Sequence, residues 1–469
     1  MSKLFYRFRS IDSLLGLQEL EKQTIYFASP EELNDSMEGF RDLVFIGDKI
    51  VWKNLFKHYL MCLEHVSQIL ILAGEKHHKI NLDSIPIFKD YDSFPTNIYK
   101  KHFLEIAEKF LDICDKLIDK ISRRTTPIRK DELSIYLDTV HHLAITIIQQ
   151  SFEDKNIIPK SELSLDNNSN TLDATINIID MLEKTLKEKN GELSVNALIE
   201  IQKSMNDNIL FSKNIADKFI LNSPNRNFVL VDFVENYINS LEKLMYPDWY
   251  TACFMSECTN SSVWGHYGNN HKGVCLVYEP TTMGDVSLLD LNDRAFTFLP
   301  INYNDGFDEV DFFKSIGRMT INQLETVWYY DEKNNKSKIA DDVLDNQDSW
   351  RETHLKNFYR DMSTKSKDWE YEKEYRLLYT NSLKDNITQE DKLFTYNFKN
   401  LKGLIFGIKT SIEDKIKIVD IIKLKCKEEN RKDFEFNQAY YSNREKNIQH
   451  RKIGFLKFQD DMTRGKDIK

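Results

Sequence analysis

The spacing of apolar residues changes twice along the chain. LFYRFRS alternates as a strand does, IDSLLGLQELEKQ carries helical spacing, and TIYFASP returns to a β-rich run ended by Pro30. SPEELNDSMEG then has the grammar of a capped turn, with Ser29 as N-cap, Pro30 at the first helical position and Glu32 three residues on. From residue 46 to 246 the texture is helical. IVWKNLFKHYLMCLEHVSQILILA, LEIAEKFLDICDKLIDKIS, LSIYLDTVHHLAITIIQQSF and ATINIIDMLEKTLKEK place apolar residues at i, i+3, i+4 and i+7. Leu104, Ala107, Leu111, Cys114, Leu117 and Ile121 form one such stripe. Breaks near 74–97, 122–131, 154–171 and 222–226, where Asn, Asp, Pro and Ser gather, divide this stretch into about six helices. It contains no internal repeat, so a solenoid is not expected.

After Pro247 the β texture resumes. DWYTACFMSE, GVCLVY (273–278), EYRLLYT, GLIFGI and FEFNQAYY read as strands, and 308–365 as mainly helical. The pattern predicts an α+β fold. A split, mixed β-sheet domain is built from residues 1–45 and 247–460, and a large all-α insertion occupies 46–246.

Composition narrows the class. Of 469 residues, 41% are apolar and 29% charged, while Gly (15) and Pro (9) are scarce, which excludes collagen-like and low-complexity chains. With 64 basic and 74 acidic residues the net charge is −10, against a chain that coats nucleic acid through a basic field. MSKLFYRFRS has no apolar h-region and no run approaches membrane-spanning length, so neither a signal peptide nor a membrane segment is expected. Six cysteines without a disulfide framework point to a reduced, cytoplasmic protein.

Three constellations could carry chemistry. Cys253, Cys258, His266 and His271 have C-x4-C-x7-H-x4-H spacing, formally enough for zinc, but the middle interval is short and Cys253 falls in a strand. A buried strand cysteine beside loop polar residues is the simpler reading, and no metal is assigned. Arg7 and Arg9 share one strand face and must meet solvent, carboxylates or an anionic ligand such as a phosphate. In WEYEKEYRLLY, a strand starting at Trp369 puts Glu370, Glu372 and Glu374 on one face, either a solvated edge or a site stabilising a developing cation. No phosphate loop, G-x-G-x-x-G, H-E-x-x-H or G-x-S-x-G is present.

Taken together these segments resemble domain-of-unknown-function family 2971. The resemblance rests on Tyr6 and Arg7; on Phe27, Ser29, Pro30, Asn34, Asp35 and Glu38; on Cys253, Phe254 and Ser256; on Trp264, His266, Tyr267, His271 and Gly273; and on Trp369, Tyr371, Glu372, Glu374 and Arg376. It departs from the family at the inserted Met255 and at Ser36, where proline is usual.

The order of these motifs is similar to that of ADP-ribosyltransferases, which implies an ADP-ribosyltransferase-like sheet and NAD as substrate. By that likeness Glu374, Arg7, Tyr267 and His266 are the catalytic group. Arg9, Ser256, Trp264, His271, Asn34, Asp35 and Glu372 would bind the dinucleotide or line the rim. Arg7 would contact phosphate, Tyr267 or Trp264 would stack nicotinamide, and the glutamate would stabilise positive charge on the ribose. The expected function is an NAD-using ADP-ribosyltransferase or NADase, acting as an effector of a bacterial defence or toxin system. A metal-dependent nuclease drawing on Asp35, Glu38, Glu372 and Lys373, and a non-catalytic sensor of a small anion, are the alternatives. A protein partner through 46–246 is expected, nucleic acid only as a modified target, and Arg7–Glu374 is either a catalytic pair or a buried ion pair.

Overall fold

The computed structural model describes residues 3–160, 168–188, 191–217, 222–304, 306–380 and 387–454. Part of the expected break at 154–171, and residues 455–460 of the expected sheet domain, lie outside them. The chain folds as two units, one of residues 1–40, 248–307 and 359–469, the other of 41–247 and 308–358.

The first unit is built on an eight-stranded mixed sheet. Its order is Leu299–Pro300, Glu374–Thr380, Trp249–Met255, Phe5–Arg9, Val274–Tyr278, Leu401–Phe406, Glu435–Ser442 and Asn447–Lys452. Neighbours are antiparallel except Leu401–Phe406 and Glu435–Ser442, which run parallel and are joined through the helix Ile412–Glu428, as a parallel pair requires. Phe5–Arg9 lies at the centre, with Arg7 opposite Leu276 and Tyr6 opposite both Val277 and Met255. Gly273 opens the next strand where a Cβ would stand 2.3 Å from the Arg9 carbonyl, so only glycine permits this approach. The short strand Thr24–Tyr26 pairs with Leu393–Thr395 rather than joining the large sheet.

Strand alternation splits the apolar residues between two cores. Phe5, Phe254, Leu276, Tyr278, Leu377 and Leu404 face one way and pack with Ile418 and Ile422 of the helix Ile412–Glu428. Phe8, Met255, Cys275, Val277 and Ile405 face the other way, towards Val263 and Trp264 of the short helix Ser261–His266. The fold is therefore α+β around a large mixed sheet, as the pattern predicts.

The second unit is mainly helical, with long helices at Lys49–Ala73, Asn97–Ser122, Lys130–Asp154, Asn168–Leu186 and Gly191–Asp217. Asp42–Phe45 forms a small sheet there with Glu309–Asp311 and Ile128–Arg129. The stripe on Asn97–Ser122 differs in one member from the expected one. Leu104 is exposed, and Phe103, Ile106 and Phe110 join Ala107, Leu111, Cys114, Leu117 and Ile121 in the core. A 3.6-residue period drifts round the helix, so i+3 from Leu104 stays apolar while Leu104 itself rotates off the buried arc. The helix Gly191–Asp217 leaves Leu198, Ile201, Met205, Phe211 and Ile215 exposed. Among the described residues no helix is long and apolar enough to cross a membrane, and all six cysteines are free.

Phe5 is fully buried at the sheet centre, with its ring stacked 3.8 Å from that of Phe298. Phe5→Ala is expected to lower the stability of this unit by about 3–5 kcal/mol. A urea-unfolding shift under 1 kcal/mol would show that the core does not depend on this contact.

Candidate functional site

The charged residues of the late motifs meet on the Trp264 side of the sheet. Their focus is Lys365, in the strand Thr364–Ser366, which pairs in parallel with Asn302–Asn304 and sets Lys365 opposite Tyr303. The Lys365 ammonium lies 3.0 Å from Glu374 Oε2, 2.9 Å from Glu372 Oε2 and 3.2 Å from Glu38 Oε1. Arg376 closes the network from the next same-face position of the strand Glu374–Thr380. Its Nε bonds Glu374 Oε1 at 2.8 Å, its Nη2 donates to both oxygens of Glu38 at 2.7 and 2.8 Å, and its Nη1 donates to the Met362 carbonyl at 2.8 Å. The Tyr267 hydroxyl donates to Glu372 Oε1 at 2.8 Å, and the Glu374 backbone N–H donates to the Tyr303 hydroxyl at 2.7 Å.

Local sequence explains the delivery of Glu38. Ser29 and Glu32 form the expected capping box, the Asp35 side chain accepts from the Met37 N–H, and the Asp35 carbonyl accepts from the Glu38 N–H. Gly39 then turns the chain at a φ of 71°, with Trp249 against the place a Cβ would fill.

Three carboxylates face two cations here, so one negative charge is left over. The five side chains are at most 4% exposed. Burial alone would raise the Glu374 carboxyl, but Arg376 and Lys365 outweigh it and hold the pKa at about 2. Glu372 goes the other way, pushed up by burial and by Glu374 against the opposing pull of Lys365 and Tyr267. Burial weakens the charged form of Lys365, yet Glu374, Glu38 and Glu372 together raise its pKa. Glu372 therefore takes up a proton more readily than Glu374 does. Partly exposed rings stand over the Glu372 end: Tyr267, Trp369 and Tyr371, with the exposed His266. His266 Nδ1 and the Tyr371 hydroxyl are 3.3 Å apart, the Trp369 and Tyr371 rings are 6.1 Å apart, and Lys365 lies 4.8 Å from the Trp369 ring centre.

Of the four expected catalytic residues, the structure brings together Tyr267, His266 and Glu374 but not Arg7. Arg7 shares its sheet face with Phe5 and lies against Phe254, 5.4 Å from the ring centre, whereas Glu374 and Arg376 lie on the opposite face with Met255. Neither a catalytic pair nor an ion pair joins Arg7 to Glu374, because the sheet lies between them. Arg9 also points away from the network and is held by both oxygens of Glu19. Trp264 is fully buried, donates to the Cys258 carbonyl at 2.8 Å and lies parallel to His271. Ser256 bonds the Lys373 carbonyl, Asp35 shapes the Glu38 turn, and Asn34 is exposed.

The row of three glutamates on one strand does not form. Lys367–Glu372 is a 3₁₀ helix, Lys373 is left-handed at a φ of 46°, and the strand begins only at Glu374. The tight turn leaves Glu370 exposed and swings Glu372 inward to Lys365, so two of the three still meet. Among the described residues no cluster of His, Cys, Asp or Glu is arranged to hold a metal ion. Cys253 instead lies against Glu374, its thiol pKa raised by burial and then by that carboxylate. Lys365, Tyr303 and Arg376 are the members that sequence reasoning gave no role, and Glu38 figured there only in the nuclease alternative.

Residues 263–377 match the family model described as "Protein of unknown function (DUF2971)". The resemblance to domain-of-unknown-function family 2971 thus holds over the segment running from the Trp264 helix to the Arg376 strand. No curated protein and no solved structure matches the chain.

Glu374→Gln removes the negative charge from between two buried cations and is expected to cost about 3–5 kcal/mol near neutral pH. The folded pKa of about 2 lies below the ordinary 4.5, so this contribution is present above about pH 4.5 and lost as pH falls towards 2. The stability gap between parent and variant should therefore narrow across that window. Denaturant unfolding at stepped pH checks it, and a gap that stays constant down to pH 2.5 would contradict the assignment.

Proposed function

We propose that the first unit acts on NAD, cleaving the bond between nicotinamide and ribose and passing ADP-ribose to water or to an acceptor. The observation that carries this reading is the Glu372 carboxyl, held by Lys365 and the Tyr267 hydroxyl beside the partly exposed rings of Tyr267, Trp369 and Tyr371. A flat, cationic nicotinamide suits such rings, since π faces attract cations. As the C1′–N bond breaks, its electron pair leaves with nicotinamide and positive charge develops on the ribose, where a fixed carboxylate stabilises it. The attacking water or hydroxyl then loses its proton to Glu372, whose raised pKa suits it to accept one.

This assigns the chemistry to Glu372 and a positioning role to Glu374, whose oxygens are held by Arg376 and Lys365. The Tyr267 hydroxyl covers the Glu372 carboxylate and must turn aside to admit the ribose. Of the carboxylates a nuclease would draw on, Glu38 and Glu372 are taken up by the Lys365 ammonium and Asp35 by the turn that leads to Glu38, and that reading gains no support. A cytoplasmic location would place the site in the NAD pool, and depletion of that pool would make the protein a toxic effector.

Incubation with NAD and quantification of nicotinamide tests the proposal. Release is expected for the parent, with Glu372→Gln slower by at least about 100-fold, and with Trp369→Ala weakened chiefly in KM. No release from folded parent protein, or an unchanged rate in Glu372→Gln, would refute it.

A further inference from the structure

We infer that a cleft in the second unit, between the helix Lys49–Ala73 and the segment 85–95, binds a small amphipathic organic anion through Lys89 and His65. The cleft holds about 590 Å³, the size of a site for a small organic molecule. One wall is apolar: Ile85 and Ile87 are buried in it, and Phe88 keeps 38% of its surface exposed. That wall is fixed to the helix by His58, whose Nε2–H donates to the Ile87 carbonyl at 3.0 Å. The Lys89 N–H then closes a turn on the Pro86 carbonyl at 2.9 Å. The site is thus in place before a ligand arrives, which spares the ligand the cost of ordering it.

Hydrogen bonding separates two of the polar lining groups from the rest. Gln68 and the Tyr99 hydroxyl donate to Glu64 Oε1, Ser93 donates to Asp90, and Lys243 faces Asp83 at 3.4 Å. Lys89 and His65 have no hydrogen-bond or ion-pair partner among the described residues. The Lys89 ammonium stands 4.5 Å from the Phe94 ring centre, which directs it without satisfying its donors. Glu64 is the carboxylate whose field reaches Lys89, but it is fully buried and forms no ion pair with it. Burial lowers the Lys89 pKa against the pull of Glu64, a cost that a bound anion offsets. Burial and then Lys89 lower the pKa of His65, so the two nitrogens stand near enough to share one ligand. An anionic head supplies acceptors to both, and an apolar body covers Ile87 and Phe88. A second cleft in this unit differs on this point, since its Lys57 and Lys100 already face Glu332 and Asp92.

The test is calorimetric titration of the full chain with sodium octanoate and with octyl phosphate, below their micelle concentrations and at constant ionic strength. Saturable single-site binding of one or both is expected, with a matching rise in Tm. The tighter of the two identifies the preferred head group as carboxylate or phosphate. Octan-1-ol, which has no charge, and inorganic phosphate, which has no chain, should each bind at least about tenfold more weakly. Lys89→Gln gives up no hydrogen bond or ion pair, so it should fold, and it should weaken the anion by about tenfold. His65→Gln should weaken it in the same direction, while Lys100→Gln, in the second cleft, should bind as the parent does. Absence of saturable binding, octan-1-ol binding as tightly as the anions, or parental affinity in both Lys89→Gln and His65→Gln would overturn the proposal.

Discussion

Lys365 is the residue on which the candidate site depends. Its ammonium gathers carboxylates from three separate segments, the Glu38 turn, the 3₁₀ helix ending at Glu372 and the strand opening at Glu374. Without that cation, three acidic side chains would be forced together in a nearly water-free interior, and their repulsion would drive the segments apart or keep the carboxyls protonated. Arg376 adds directional bonds, but it reaches only Glu38 and Glu374. The position of Glu372, and hence that of Tyr267, rests on Lys365.

The pleat imposes the second constraint. Alternation along Phe5–Arg9 sends Phe5, Arg7 and Arg9 one way and Tyr6 and Phe8 the other, and register with Val274–Tyr278 and Trp249–Met255 carries that division across the sheet. Tyr267 and Trp264 pack with Phe8 and Met255, so the motifs that look contiguous as a set of polar residues are divided by the sheet. A shift of one residue in register would reverse this, which is why the two buried faces specify it strongly.

Much of the sheet was legible in local pattern. EYRLLYT coincides with Glu374–Thr380 and GVCLVY with Val274–Tyr278, because both are β-rich runs bounded by turn-forming residues. The pairing of Glu372 with Tyr267 was not legible, since it needs a 3₁₀ turn that three alternating glutamates disguise as a strand. Lys365 was invisible for a different reason: it sits at the end of a polar, helix-like stretch and gains its role only from the parallel pairing with Tyr303. Arg7 was read as meeting solvent, a carboxylate or an anionic ligand, yet the face it takes follows from register between distant strands. No property of YRFR encodes it.

Stability alone gives little reason for either cluster, since an apolar core of similar volume usually serves at least as well as a buried charge network. Their imbalance is the informative feature. The Glu372 face holds three carboxylates against two cations, and the Arg7 face holds two guanidiniums against one carboxylate. Each would be balanced by a partner of opposite sign, and the sheet between them prevents one small molecule from serving both. If nicotinamide stacks beside Tyr267, the phosphates of the same NAD molecule must find their cations on the Glu372 face.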